Sequence, residues 1–239
     1  MRETGLSALV LHVRPYQETS GMIQFFTREQ GRLVGVKKGM RRGRNPVSIQ
    51  PFTYGRLSYV GRSNLVTVTG YESLGRYELH GDRLSAGFYV LELLTRCLSE
   101  RQAEPGLYNA TNTVLGALQT GAPLAATLRR FEARLLDELG YGIDYLHEAG
   151  EGRLVVAQAR YRWLEGQGLQ RIDDQTVSTV EALPGWVLLA LSEQDYSRPE
   201  TLRGARHLYQ KALAPLLGSA PLISREMVRA APLGTLQNG

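Results

Sequence analysis

The spacing of apolar residues changes once along this chain, and that change limits the folds that the chain can adopt. Up to about Tyr71, short apolar runs alternate with polar residues and are separated by turns, as is typical of β-strands. Beyond Tyr71, apolar residues recur every three or four positions, as in amphipathic helices. The pattern therefore predicts an α+β chain in which a β domain precedes a mainly α-helical domain.

Five short strands are predicted in the first part. Gly31 lies in a turn between the second and third strands, where glycine accommodates a positive φ. The predicted strands are 6–13, 22–27, 32–37, 52–60 and 65–69. Five strands in about seventy residues indicate a small five-stranded OB-fold β-barrel. An SH3-like barrel stays open as the alternative from the pattern alone.

The second part is predicted to be helical, with one weakly patterned insertion. Asp82 is the expected cap of the first helix, and Gly140 is the expected stop signal of the third. The predicted helices are 82–98, 105–118, 123–139, 184–193 and 199–217. The insertion covers about 144–178, with short strands at 154–157 and 161–164. These elements predict an OB domain at residues 1–80 and a helical domain at 81–239.

Positive charge is concentrated in the predicted barrel. Residues 1–70 contain 11 Lys/Arg and 3 Asp/Glu, a net charge of +8, whereas residues 71–239 contain 17 and 20, a net charge of −3. A polyanion is the expected partner of such a part. Nucleic acid fits best, and an anionic membrane surface is the alternative.

Five of these eleven cations lie in one stretch of eight residues, 37–44. Its glycines, Gly39 and Gly43, would let backbone approach a phosphate. The candidate DNA-binding residues are Lys37, Lys38, Arg41, Arg42 and Arg44 in the stretch, with Arg14, Arg56 and Arg62 elsewhere on the barrel. A solvated loop without a partner is the alternative. Phe52 is expected in the core, whereas Tyr54 and Tyr59 could also stack on bases.

A second candidate site lies on the third predicted helix. Arg129 and Arg130 flank its apolar row, so they could border a groove for an acidic peptide with an apolar end. The alternative is an ordinary solvated helical face.

Signals for an enzyme or a metal site are absent from the sequence. It has no phosphate-binding loop and no nucleophile elbow, and its four histidines lack paired ligand spacing. Cys97 is the only cysteine, which excludes a disulfide within the chain and a cysteine-rich zinc site. No apolar run reaches the length of a membrane span, and the first residues do not predict a signal peptide. We therefore expect a cytoplasmic protein without metal or cofactor.

Nine short segments together resemble the RecO family of bacterial DNA repair and recombination mediators, in the family's order. They are LVLHVRPYQETS at 9–20, FTREQGR at 26–32, QPF at 50–52, YVLELL at 89–94, LRRFE at 128–132, LGYG at 139–142, ARHLY at 205–209, LLG at 216–218 and SRE at 224–226. The resemblance covers nearly the whole chain. It implies an N-terminal OB-fold followed by a helical domain.

The resemblance also implies a non-enzymatic, nucleoid-associated role. Members bind single- and double-stranded DNA, anneal complementary strands and, with RecR and in many bacteria RecF, load RecA onto DNA coated by the single-strand binding protein. They contact the acidic C-terminal tail of that protein, for which Arg129 and Arg130 are the candidates here. Many members carry a four-cysteine zinc module, but residues 144–177 contain no cysteine. We therefore expect no zinc, and packing must hold that segment.

Overall fold

The computed structural model describes residues 1–40, 49–62, 64–172 and 182–224. Within them, five strands come first, and five helices follow with three short strands between the third and the fourth. The strands of the first part are β1 (Arg2–Tyr16), β2 (Ser20–Thr27), β3 (Gly31–Lys37), β4 (Thr53–Val60) and β5 (Leu65–Arg76). The helices are α1 (Gly81–Cys97), α2 (Pro105–Gln119), α3 (Leu124–Glu138), α4 (Gly185–Ser192) and α5 (Pro199–Leu217). The predicted α+β class is confirmed.

The first five strands close into a barrel in the order β1-β2-β3-β5-β4, with β4 also paired to β1. Strands β3 and β5 are parallel, and the other neighbours are antiparallel. A closed five-stranded barrel agrees with the predicted OB-fold. β1 continues past the predicted end before Pro15, which pairs with Gly21 in the last residues of the strand, where proline is tolerated.

Alternate residues of the five strands fill the barrel. The buried core residues are Leu6, Ala8, Val10, Ile23, Phe25, Leu33, Ile49, Leu57, Tyr59, Val66 and Val68. Gly35 faces the same interior, where a β-carbon would come 2.6 Å from Cγ2 of Val68. Because side chains alternate along a strand, the residues between these core positions face outward.

The helices agree with the predicted ones to within a few residues at their ends. The predicted cap at Asp82 is wrong, because His80 occupies the N-cap position and Asp82 lies in the first turn. A carboxylate in the first turn still interacts favourably with the helix dipole. The guanidinium of Arg83 donates to the carbonyls of Leu118, Gly121 and Ala122, and so satisfies acceptors at the end of α2.

A small three-stranded sheet follows α3. It consists of β6 (Arg160–Leu164), β7 (Gly168–Ile172) and β8 (Leu183–Pro184), in the order β7-β6-β8. β6 confirms the predicted strand at 161–164. The predicted strand at 154–157 is wrong, since Leu154 forms only an isolated bridge with His147.

By the density of their contacts, the residues form two compact units. The first unit comprises Met1–Ala122 together with the described chain from Ala220 onward, and the second comprises Pro123–Ser219. The boundary at residue 80 remains a prediction. None of the helices in the described part of the chain is long and apolar enough to cross a membrane.

Candidate nucleic-acid interface

The pairing of the barrel strands aligns two rows of outward-facing residues across β1, β2, β3 and β5. The first row is Arg14, Met22, Val36 and Thr67, and the second is His12, Gln24, Val34 and Leu65. We call these eight residues the outer face. Its members are exposed or half-buried, unlike the core residues that alternate with them. The outer face therefore offers aliphatic and polar side chains with one arginine at its edge.

Two lysines lie beside the outer face, where β3 ends. Lys37 pairs with Gly21, and its Nζ donates to the carbonyl of Thr69 at 3.1 Å. Lys38 follows the strand and is exposed. Because Arg14 pairs with Met22, next to Gly21, these three cations come from neighbouring strands at the same end of the barrel.

The other cations of the predicted contact loop, Arg41, Arg42 and Arg44, lie outside the described residues. The chain on either side of residues 41–48 is attached to the barrel. Met40 packs against the barrel core, and Ile49 is 2% exposed within it. Both attachments bring the ends of this stretch to the barrel that carries Lys37 and Lys38.

Arg62 lies in the turn between β4 and β5 and is exposed. The turn is fixed by a hydrogen bond from the N–H of Gly61 to the carbonyl of Met1 at 3.0 Å. Leu65, which follows the turn, pairs with Val34 of the outer face. Arg62 is therefore close in sequence to a member of that face.

The structure does not group Arg56 with the cations described above. Arg56 pairs with Ser7 on one side and Glu72 on the other, and its Nη1 donates to Oγ of Ser7 at 2.9 Å. Ser7 and Arg14 are separated by seven residues of β1, on the order of 20 Å along a strand. The cross-strand neighbour of Arg56, Glu72, is an acidic residue, unlike the neighbours of Arg14.

Among the aromatic residues, Tyr59 is fully buried, and its hydroxyl donates to the side chain of Gln30. Phe52 is 1% exposed and packs edge-on against Phe88, with ring centroids 5.0 Å apart, so its expected core position is confirmed. Tyr54 is half-buried. Tyr59 is thus a core residue and is not available to stack on a base.

Arg32 adds positive charge to the sequence of the barrel but has a structural role. Its Nε donates to the carbonyl of Leu98 at 3.1 Å, and its Nη2 lies 3.3 Å from the carboxylate of Glu100.

The sequence pattern does not show that Met22, Val34 and Val36 of the outer face lie side by side. That alignment depends on strand register, which charge and spacing do not reveal.

The arginine pair of α3 belongs to the second unit, and its two members differ. Arg129 is 8% exposed, and its Nη2 forms an ion pair with Glu132 at 2.8 Å. Arg130 is exposed, and its guanidinium lies 5.3 Å from the ring centre of Tyr196. Only Arg130 presents its charge to solvent.

Tyr196 is part of a chain of phenol groups in the second unit. The hydroxyl of Tyr209 lies 3.0 Å from that of Tyr145 and 3.0 Å from that of Tyr196. Burial raises the pKa of all three phenols above the ordinary value. They therefore stay protonated at neutral pH and can serve as hydrogen-bond donors.

In the insertion, hydrogen bonds and packing hold the chain around Tyr161. This residue is fully buried, and its hydroxyl accepts from the N–H of Val156 at 2.8 Å and donates to Glu148 at 3.3 Å. The residues here do not fit the family's cysteine zinc module. Over the described ranges, no three His, Cys, Asp or Glu side chains are grouped closely enough to hold a metal ion.

Comparisons with known proteins agree over most of the chain. Two family models match it: "Recombination protein O N terminal" over residues 1–77 and "Recombination protein O C terminal" over residues 79–226. A protein of Pseudomonas putida strain F1, named DNA repair protein RecO, is 38% identical over 226 residues, which cover 94% of this chain and 97% of the relative.

Relatives from other genera carry the same name. The protein of Stutzerimonas stutzeri strain A1501 is 40% identical over 225 residues, covering 92% of this chain and 91% of its own. That of Haemophilus influenzae strain Rd is 39% identical over 221 residues, covering 91% and 92%.

Proposed function

The chain belongs to the RecO family of DNA repair proteins, and on that basis we propose that it is a DNA-binding recombination mediator without enzymatic activity. In this role it binds single- and double-stranded DNA and anneals complementary strands. It also helps to load RecA onto DNA coated by the single-strand binding protein. Its place of action is then the cytoplasm, at the nucleoid.

The observation that carries the proposal is the position of the barrel's exposed charge. Arg14 and Lys38 are exposed beside an outer face of aliphatic side chains, and the barrel part has a net charge of +8. Cations of this kind bind phosphates and displace counterions without reading the base sequence. Unstacked bases then pack against the aliphatic side chains of the outer face, beside these cations.

Annealing follows from the same charge without nucleotide hydrolysis. Two single strands repel each other through their phosphates, and a cationic surface that binds both lowers this repulsion. The helical part then supplies partner recognition. RecR, and in many bacteria RecF, are the partners we propose on the basis of the family, together with the acidic tail of the single-strand binding protein.

Arg130 is the residue that we propose for direct contact with that acidic tail. Its guanidinium is exposed over the ring of Tyr196, so a carboxylate can pair with it without displacing a buried partner. Arg129 is buried and ion-paired with Glu132, so its proposed role is to stabilise this part of α3. The pair proposed from the sequence therefore divides into a contact residue and a supporting residue.

The test of the function is annealing of complementary strands precoated with the single-strand binding protein, with and without this chain. We expect a marked acceleration that needs no ATP. An annealing rate unchanged by the protein, at low and moderate salt, would contradict the proposal.

A second experiment tests the site. Alanine at Lys37, Lys38, Arg41, Arg42 and Arg44 should sharply weaken binding of single-stranded DNA and nearly preserve the melting temperature. A control variant replaces Arg153 and Arg203, two exposed arginines of the second unit. If the fivefold variant binds DNA as well as this control in a low-salt titration, the DNA site lies elsewhere.

The competing function is an RNA-binding adaptor. Phosphate contacts from exposed cations do not by themselves distinguish ribose from deoxyribose, so the barrel suits RNA as well. Competition between DNA and RNA single strands of matched length and sequence separates the two functions. A strong preference for RNA would favour the adaptor.

A further inference from the structure

Helix α1 carries two side chains that hold a distant segment of the first unit. They are Glu92 and Arg96, one helical turn apart, and the segment is 220–224. We call Glu92 and Arg96 the α1 clasp. Neither residue belongs to the barrel surface or to the α3 site.

The carboxylate of Glu92 accepts three hydrogen bonds from the segment. Oε1 accepts the backbone N–H of Ile223 at 2.9 Å. Oε2 accepts both the backbone N–H of Ser224 at 2.9 Å and its hydroxyl at 2.6 Å. Both carboxylate oxygens are thus used, and hydrogen bonds to a charged acceptor are stronger than those between neutral groups.

Arg96 completes the clasp by binding the first residues of the segment. Its guanidinium forms an ion pair with Glu92 at 2.7 Å and donates to the carbonyls of Ala220 at 2.5 Å and Pro221 at 2.6 Å. The clasp therefore binds two backbone carbonyls, two backbone N–H groups and one hydroxyl. Leu222, between them, is 6% exposed, and Ser224 is 3% exposed.

The charge state of Glu92 agrees with this geometry. Partial burial raises the pKa of its carboxyl group, but the hydrogen bonds from Ser224 and Ile223 and the charge of Arg96 outweigh burial. The net pKa is below the ordinary value, so the segment binds the ionised carboxylate.

The segment lies where the chain returns from the second unit to the first. Helix α5 ends at Leu217 in the second unit, whereas residue 220 is already part of the first unit. The chain thus leaves the first unit after Ala122 and rejoins it where the clasp lies.

We propose that the α1 clasp is an intramolecular peptide-binding site whose occupant, the segment 220–224, is held reversibly. Opening the clasp removes five hydrogen bonds and one buried leucine but leaves α1 and the barrel intact. Local opening of this size costs less than global unfolding, so the segment can open independently. The clasp and its occupant both lie within the first unit, and the proposal does not depend on DNA binding.

Hydrogen exchange of the full chain, followed by mass spectrometry, tests the clasp. In the wild type, the amides of Ile223 and Ser224 should exchange much more slowly than their intrinsic rates. Glu92→Gln replaces one acceptor oxygen by an NH2 group facing donors, so we expect at least tenfold faster exchange there. Exchange in α1 and in the barrel should not change.

The matched control is Glu78→Gln, which alters an exposed glutamate of the same unit. A second variant, Ser224→Ala, changes only the segment and removes the 2.6 Å hydroxyl bond. It should accelerate exchange of the segment by a smaller factor, and it keeps the test decisive if Glu92→Gln does not fold.

Three outcomes would overturn the proposal. In the first, the wild-type segment exchanges at its intrinsic rate. In the second, the variants accelerate exchange in α1 and the barrel as much as in the segment, which means that the contact opens only with the whole unit. In the third, protection depends on protein concentration and light scattering detects a dimer, which means that the segment of a second copy is the occupant.

Discussion

Gly31, at the start of β3, lies so close to the backbone carbonyl of Gln102 that a β-carbon at position 31 would overlap the oxygen. The φ of Gly31 is 67°, which agrees with the positive φ expected from the sequence for the turn between β2 and β3. The adjoining chain is also fixed there, because the N–H of Arg101 donates to the carbonyl of Arg32 at 3.0 Å. One glycine therefore meets a conformational and a steric requirement together.

Gly31→Ala should lower the free energy of unfolding by about 2–4 kcal/mol, since a positive φ costs about 1–2 kcal/mol and the clash adds to it. Gly39→Ala is the matched control, because Gly39 has the same φ of 67° but open space around it. We expect that variant to lose only about 1 kcal/mol. Urea unfolding of both measures the difference, and equal losses would show that the contact with Gln102 is unimportant.

A second glycine pair separates packing from helix propensity. In α1, a β-carbon on Gly87 would come 2.5 Å from Leu79 and 2.9 Å from Phe52, whereas Gly116 in α2 has nothing within 4 Å. Gly87→Ala should therefore destabilise by about 1–3 kcal/mol through overpacking. Gly116→Ala should stabilise by about 0.5–1 kcal/mol, because alanine favours a helix. Thermal unfolding that moves in the same direction for both variants would contradict this packing.

The sequence predicted the elements of the barrel well, since alternation of apolar residues marks each strand. It did not predict which outward residues become neighbours, because that depends on pairing between strands far apart in sequence. Lys37 and Thr69, for example, are brought together by the parallel pairing of β3 and β5. The strand β7 was missed because only Leu169 in it is buried.

The candidate partner site shows a related limit. Neighbouring arginines on a helix look equivalent in sequence. The tertiary packing of α3 nevertheless buries Arg129 and leaves Arg130 exposed. The ion pair with Glu132 follows the three-residue spacing of a helix face, but its burial is set by the tertiary fold.

The two arginines of α3 should respond differently to alanine. Arg129→Ala removes the guanidinium from a carboxylate whose side chain is 1% exposed, so we expect a loss of stability of about 3 kcal/mol. Arg130→Ala removes one exposed cation–π contact and should cost less than about 1 kcal/mol. Chemical denaturation measures both.

Peptide binding should depend on the exposed arginine, Arg130. Arg130→Ala should weaken binding of a fluorescent acidic peptide with an apolar end. The free energy of unfolding of the variant should stay near that of the wild type. A folded Arg130→Ala variant that binds this peptide normally would remove Arg130 from the proposed contact.

Salt dependence can locate the DNA-binding surface on the barrel. Each phosphate contact on single-stranded DNA contributes about −0.7 to the log–log slope of affinity against salt concentration, so five or six contacts give about −4. Arg14→Ala should reduce the magnitude of the slope by about 0.7. Arg56→Ala should change it little, because Arg56 lies beside Glu72 and away from the outer face. Equal effects of the two variants would extend the surface around the barrel.

The last prediction concerns the titration of Glu92. Because hydrogen bonds and Arg96 lower the pKa of its carboxyl group in the folded chain, the ionised form is the one that the clasp stabilises. This stabilisation is fully present above the ordinary pKa of a glutamate, about 4.3, and is lost as the pH falls through the lower, folded value. NMR titration of the side-chain carboxyl carbon should give a pKa below that of an unperturbed glutamate. Ser224→Ala should raise the pKa of Glu92, since one charge-assisted hydrogen bond is gone. A pKa of Glu92 that is the same in the variant and the wild type would show that the Ser224 hydroxyl does not bind the carboxylate in solution.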